Sequence, residues 1–361
     1  MLARIDSKDR RYAQDMSERA KKSVLANVLI GAVAVAIVAL IVLAIVRKNT
    51  NEAVMTRKNL MGTLVEFTFM SGDASRYDAA SDAAFAEISR LEALMSSYKP
   101  DSDVSRMNAH AGEMVDVSPE TIEVLEASRR ISELSEGAFD PTIGALGVIW
   151  GYSGEKGNVP GKDDMDKLLP LVDYRAVMID RAGKRAGLKS KGMTINLGGI
   201  AKGYIVAKAA QVLEKNGVER AIVKAGGDMR VFQKEGGAAE AAKPFVIGVQ
   251  DPRNNTKLTA ELHVKNGAVS TSGDYERFFE KDGKRYHHIL DPKTGFPAVR
   301  SESVTVVADD STEADGLSTA IFVMGWSKGI ALAEKLGVQC LIVDSEGKIH
   351  VTKKFEGKLL E

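Results

Sequence analysis

The chain has 361 residues, with 49 Lys and Arg against 49 Asp and Glu, and 44% of it is hydrophobic. That balance argues against a nucleic-acid surface, which needs an excess of clustered basic charge, and fits a globular protein of up to two domains. One cysteine, Cys340, excludes an intramolecular disulfide, a cysteine-ligated zinc site and a dithiol redox pair.

Residues 24–46, VLANVLIGAVAVAIVALIVLAIV, are apolar apart from Asn27 and Gly31. As a helix the run is roughly 35 Å long, enough for a hydrocarbon core of about 30 Å. It ends in IVRKNT without a small-residue cleavage pattern, so an uncleaved transmembrane anchor is expected. Arg4, Lys8, Arg10, Arg11, Arg19, Lys21 and Lys22 outnumber Arg47, Lys48, Arg57 and Lys58 on the other flank. The bias puts residues 1–23 in the cytoplasm and the rest outside it, in a bacterium the periplasm.

Residues 47–60 read as a polar linker, and 61–361 as one folded domain. Residues 61–70 predict a first strand and 77–95 a helix with Ala84, Ile88, Leu91 and Met95 on one side. A second helix follows, with Ser118 as N-cap, Pro119 at its first position and Gly137 closing it. GAFDPTIGALGVIWGY reads as irregular and 153–165 as loop; YRAVMID and GMTINL read as strands. Residues 201–215 predict a helix, and RAIVKAGGDMRVF a strand with a glycine turn. PFVIGVQDP, LTAELHVKNGAVSTSG and KRYHHILDP are further strands, and EKDGKR is a hairpin turn on Asp-Gly. A strand, a loop and a helix from near Glu313 precede a closing hairpin, CLIVDSEGKIHVT. KEGGAAEAAK, 234–243, reads as a flexible insertion. Strands paired without regular βαβ alternation predict a mixed α+β fold with largely antiparallel sheets.

Four stretches can carry chemistry. TINLGGIAKGYIVAKAA sets Gly198, Gly199 and Lys202 between a strand and a helix. Glycines there let backbone approach a ligand, and a helix N-terminus favours an anion. Plain strand–turn–helix packing explains the pattern as well. In DDSTEADGLSTAIF, Asp315 and Thr319 share a helix face with Ser318 close by, an oxygen set suited to Mg²⁺ or to an acidic first turn. His287 and His288 point to opposite faces, so one of them can serve acid–base work. Phe139 and Trp150 can pack a flat ring or fill a core.

Taken in order, these segments resemble the ApbE family, the FAD:protein FMN transferases. The resemblance runs through MGT (61–63), SSYKPDSDVSRMN (96–108), GAFDPTIGALGVIWG, INLGGIAKGY, AGGDMRVF, STSGDYERFF, HHILDPKTG and EADGLSTAIFVMG. It implies Mg²⁺-dependent transfer of FMN from FAD to a Ser or Thr hydroxyl of a client flavoprotein, with release of AMP. It also implies metal ligands at the Gly199 carbonyl, Asp315, Ser318 and Thr319. Met61, Tyr98, Ala138, Phe139, Asp140, Asn196, Lys202 and Ile289 would line the FAD site, Asn196 standing where many members carry aspartate. His288 would be the base, with Lys202 assisting. Many members are lipoproteins; here the apolar helix would hold the enzyme at the inner membrane instead, facing clients such as Rnf- or Nqr-type subunits. Two alternatives stay open: an FAD pyrophosphatase giving FMN and AMP, and a non-catalytic, membrane-tethered flavin-binding protein.

Overall fold

Residues 54–60, inside the stretch read as linker, form strand β1 (Val54–Leu60), which folds back on β2 (Thr63–Phe69). The turn is Met61-Gly62, with φ of 54° and 67°. Two successive positive φ values are those of a type I′ turn, whose twist suits a tight hairpin. A computed structural model describes residues 53–70, 74–152, 157–234 and 243–360. The apolar run 24–46 lies outside these residues, as does most of the 234–243 insertion. Among the described residues no helix is long and apolar enough to cross a membrane.

Helix α1 (Asp78–Met95) buries Ala84, Ile88, Leu91 and Met95, the expected stripe. α2 (Asp103–Ala109) begins at Ser102, whose side chain accepts the Ser105 N–H. β3 (Met114–Asp116) leads to α3 (Pro119–Leu134), capped by Ser118 with proline at its start. The buried Asp103 carboxylate accepts from Ser118 N (2.8 Å), Ser118 Oγ (2.6 Å) and Thr121 Oγ1 (2.6 Å), so one aspartate ties the two helix starts together. The stretch read as irregular contains α4 (Gly144–Trp150), and α5 (Lys162–Leu168) begins inside the stretch read as loop.

β4 (Val177–Asp180) pairs with β5 (Arg185–Leu188) and, beyond it, β3. GMTINL is not a strand, because only Thr194 makes a bridge, to Ile143. α6 (Ala201–Lys215) is followed by the hairpin β6 (Arg220–Ala225) and β7 (Asp228–Gln233). Then come β8 (Phe245–Gln250), β9 (Leu258–Val264), β10 (Gly267–Gly273) and the hairpin β11 (Phe278–Lys281) with β12 (Lys284–His287). Asp282 and Gly283 turn that hairpin at φ 53° and 72°, as Asp-Gly predicts. β13 (Ser301–Ala308), α7 (Ser311–Met324), α8 (Trp326–Leu336), β14 (Gln339–Asp344), β15 (Ile349–Val351) and β16 (Gly357–Leu359) complete the fold.

The main sheet has eight strands in the order β1-β2-β6-β7-β10-β13-β14-β15, each antiparallel to its neighbours. The fold is therefore mixed α+β with antiparallel sheets. α7 packs on β10 and β13, and α6 lies between α1 and α7. The core between sheet and helices holds Phe67, Phe85, Ile88, Val206 and Phe322. A separate cluster of Leu146, Trp150, Met165 and Leu290 packs beneath the β11–β12 hairpin, with the Trp150 Nε1–H donating to Gly295 O at 2.8 Å.

The α6–α7 contact has no room for a side chain at Gly203. A Cβ there would stand 2.1 Å from Ser311 O and 2.7 Å from the Asp315 Cβ. Gly203→Ala should therefore lower stability by at least about 2 kcal/mol, the range of core overpacking. Gly147→Ala, where a Cβ meets nothing within 4 Å in α4, should leave stability unchanged or raise it by up to about 1 kcal/mol. Melting temperatures of the two full-length variants test the contrast, and an unchanged value for Gly203→Ala would show that the helices can part.

Candidate active site

The segment before α6 is held from both sides. The Asn108 side chain donates through Nδ2 to Ile195 O (3.0 Å) and accepts through Oδ1 from Ile195 N (2.7 Å), replacing a strand partner. On the other side Gly144 N donates to Thr194 O (3.0 Å) and Asn196 N to Pro141 O (2.8 Å). The Asn196 side chain accepts the Gly198 N–H at 2.7 Å, a local turn that aims residues 198–199 ahead of the helix. A Cβ at Gly199 would lie 3.2 Å from the Phe139 ring and 3.3 Å from Thr319 Oγ1, so glycine lets α7 come close.

That approach joins the two distant segments. Gly203 N, in the first turn of α6, donates to Asp315 Oδ2 at 2.9 Å, satisfying an N–H that has no partner within its own helix. One helical turn later Thr319 Oγ1 stands 3.5 Å from Gly199 O and 3.3 Å from Ser272 Oγ. The Ser318 hydroxyl contacts the same Ser272 Oγ (2.8 Å) and bonds back to Asp315 O (2.9 Å). Gly199 O, Asp315 and Thr319 thus converge, while Ser318 buttresses them.

Lys202 ion-pairs with Asp228, at the start of β7, and lies 3.8 Å from Asp315 Oδ1. Burial alone would pull the Lys202 ammonium down, but the Asp228 and Asp315 carboxylates together hold it above the usual lysine range. Asp315 is pushed up to about 7, first by burial and then by the neighbouring Asp228 charge, with Lys202 pulling the other way. Two buried carboxylates beside one ammonium form a site short of positive charge, which a divalent cation would supply. The donors suit a hard ion: a carboxylate, a hydroxyl and a carbonyl.

The two histidines divide as the alternation predicts. His287 is buried, with its ring edge against Phe322. Its Nε2–H donates to Ala298 O (2.8 Å) and its Nδ1 accepts the Ile289 N–H (3.3 Å), leaving no free nitrogen. His288 is half-buried, and its Nδ1 lies 3.2 Å from Arg277 O. A carbonyl can only accept, so Nδ1 carries the proton and Nε2 keeps a free lone pair. Burial lowers His288 to about 4, with the nearby Arg277 and Lys202 charges adding to the effect.

The ApbE family profile matches residues 61–342. The FAD:protein FMN transferase of Treponema pallidum (strain Nichols) is 34% identical over 308 residues, 81% of this chain and 85% of that protein. The corresponding protein of Haemophilus influenzae is 31% identical over 88% of this chain and 94% of its own length. The crystal structure of the ApbE protein from Thermotoga maritima aligns with a TM-score of 0.78 and 37% identity, covering 84% of this chain and 99% of that one. This chain belongs to the ApbE family.

Other residues that the ApbE resemblance implies fall in several places. Ala138 and Phe139 are buried, the Phe139 ring beside Gly199, and Ile289 is buried next to His287. Asp140 lies in the same turn, but its carboxylate is occupied by Thr142 N (2.8 Å), Thr142 Oγ1 (2.6 Å) and Tyr174 N (2.9 Å). Met61 sits in the strained turn beside Arg277, whose Nη2 is 3.5 Å from Gly62 O. Tyr98 is 69% exposed on the turn between α1 and α2. Asn108, Asp228, Ser272 and Arg277 were missed. Asp228 had one readable signal, an acid directly after the glycine turn of AGGD.

The Lys202–Asp228 pair can be tested by a double-mutant cycle of Lys202→Gln and Asp228→Asn in chemical unfolding. Neighbouring charged groups in one network should give a coupling of about 1–3 kcal/mol. Additive effects would show that the two side chains act independently.

Proposed function

We propose that this chain is an FAD:protein FMN transferase, moving the FMN half of FAD onto a Ser or Thr hydroxyl of a client flavoprotein. The observation that carries the reading is the convergence of Gly199 O, Asp315 and Thr319 around the first turn of α6, with Lys202 beside them, in a member of the ApbE family. The client oxygen attacks the FMN-side phosphorus of the diphosphate, and the bond from that phosphorus to the bridging oxygen breaks. AMP leaves with the bridging oxygen, and the hydroxyl proton passes to His288 Nε2. Such a transfer depends chiefly on positioning and charge neutralisation. Lys202 holds positive charge at the diphosphate, and the Phe139 side of the glycine turn bounds the site.

Gly199 O, Asp315 and Thr319 would hold Mg²⁺, which when bound supplies Lewis-acid neutralisation of the phosphate oxygens. The apolar run 24–46 would keep the enzyme at the outer face of a bacterial inner membrane, next to extracytoplasmic clients.

Incubation of the full-length protein with FAD, Mg²⁺ and a candidate client, read by mass spectrometry, tests the reading. FMN on the client is expected; free FMN and AMP alone would instead make it a pyrophosphatase, and bound unchanged FAD a binding protein. His288→Ala should slow transfer by roughly 10²–10⁴-fold, the usual worth of a general base. Asp315→Ala should be more severe, and equal losses would contradict the assigned roles.

The pH dependence follows from the same geometry. A base works when unprotonated, so the rate falls as pH drops through its pKa. In the free enzyme His288 lies at about 4, so kcat/KM should hold its His288 contribution down to that region. Bound phosphates offset the nearby cations and raise the imidazole, so the acid limb of kcat should lie at higher pH than that of kcat/KM. Coincident limbs, measured at saturating Mg²⁺, would argue against His288 as the base.

A further inference from the structure

Arg277 stands one residue before β11 and His288 one residue after β12. The β11–β12 ladder continues to them, since His288 N donates to Arg277 O at 3.1 Å and His288 Nδ1 contacts the same carbonyl. The Arg277 backbone is therefore fixed, and its guanidinium extends to the Met61-Gly62 turn. The 3.5 Å approach of Nη2 to Gly62 O is at the limit of a hydrogen bond. Among the described residues no carboxylate lies within ion-pair distance of Arg277, whereas the neighbouring Arg253 and Arg285 both pair with Asp274. Its charge also acts on His288, its partner on that rung. An exposed guanidinium on the same rung as His288, without a counter-ion, is poorly arranged for folding and well arranged for an incoming anion.

We infer that Arg277 binds the diphosphate of FAD, as a second fixed cation across the site from Lys202. This rests on the transferase reading above, and the test separates the two. FAD dissociation constants of the full-length wild type, Arg277→Gln and Arg277→Lys are measured by flavin fluorescence, with the melting temperature of each ligand-free protein. Arg277→Gln should weaken FAD binding roughly 10- to 100-fold, the loss expected for charged hydrogen bonds. Arg277→Lys should recover part of it, because lysine keeps the charge and loses the planar fork. The ligand-free melting temperatures should not differ. Unchanged FAD affinity in Arg277→Gln, an equal loss in Arg277→Lys, or a loss matched by a fall in melting temperature would overturn the inference and leave the transferase reading intact. A wild-type protein that binds no FAD would overturn both.

Discussion

The site depends on one backbone contact. Where α6 and α7 meet, Gly203 has no side chain, and the Ser311 carbonyl occupies the space a Cβ would need. The helices are therefore close enough for Asp315, on α7, to reach an N–H in the first turn of α6. Everything else at the site follows from that distance. Thr319, one turn along the same face, arrives at the Gly199 carbonyl, and Lys202 falls between Asp315 and Asp228. A larger residue at position 203 would separate two segments whose chemistry requires them together.

Electrostatics then give the site its direction. Asp228 and Asp315 are almost fully buried, and burial together with the Asp228 charge disfavours charge on Asp315. Lys202 offsets part of this, which leaves a deficit of positive charge on the Asp315 side and a surplus on the Arg277 side. A hard cation fits the first and a phosphate anion the second, and the two ligands would stabilise one another. His288 stays neutral in the free enzyme chiefly because it is desolvated, and the Arg277 and Lys202 charges add to that effect.

Helices that bury a regular stripe were legible in the sequence. Residues 78–95 and 201–215 show 3.6-residue spacing, and Ser118-Pro119 marks a helix start chemically. β1 was not legible, because it is an edge strand whose Arg57 and Lys58 face solvent, and charge on an edge reads as linker. α4 was hidden by its two glycines. GMTINL was misread because its polar backbone is satisfied by the Asn108 amide and by residues 141–144, which no local pattern encodes. The same division holds at the site. Asp315 and Thr319 are four apart on one helix and could be paired on paper, whereas Asp228 joins Lys202 only through strand order. Ser318 shares their segment, but its hydroxyl bonds back to the Asp315 carbonyl, a local bond that spacing alone did not resolve.

The β11–β12 hairpin explains how an exposed loop can hold Arg277 and His288 steady. Two-stranded hairpins are marginal alone, so this one needs packing beneath it. Phe279 and Tyr286 stack at 5.3 Å and lie against Trp150, which is fully buried and fixed by its bond to Gly295. His287 closes the last rung from below through Ala298 and Phe322. With its neighbour anchored inward, His288 must turn outward, and its imidazole is orientated by the Arg277 carbonyl. Arg277 and His288 are thus two ends of one rung, and a change in the aromatic cluster would move them together. The buried His287 is therefore the anchor that sets where the half-buried His288 ring can go.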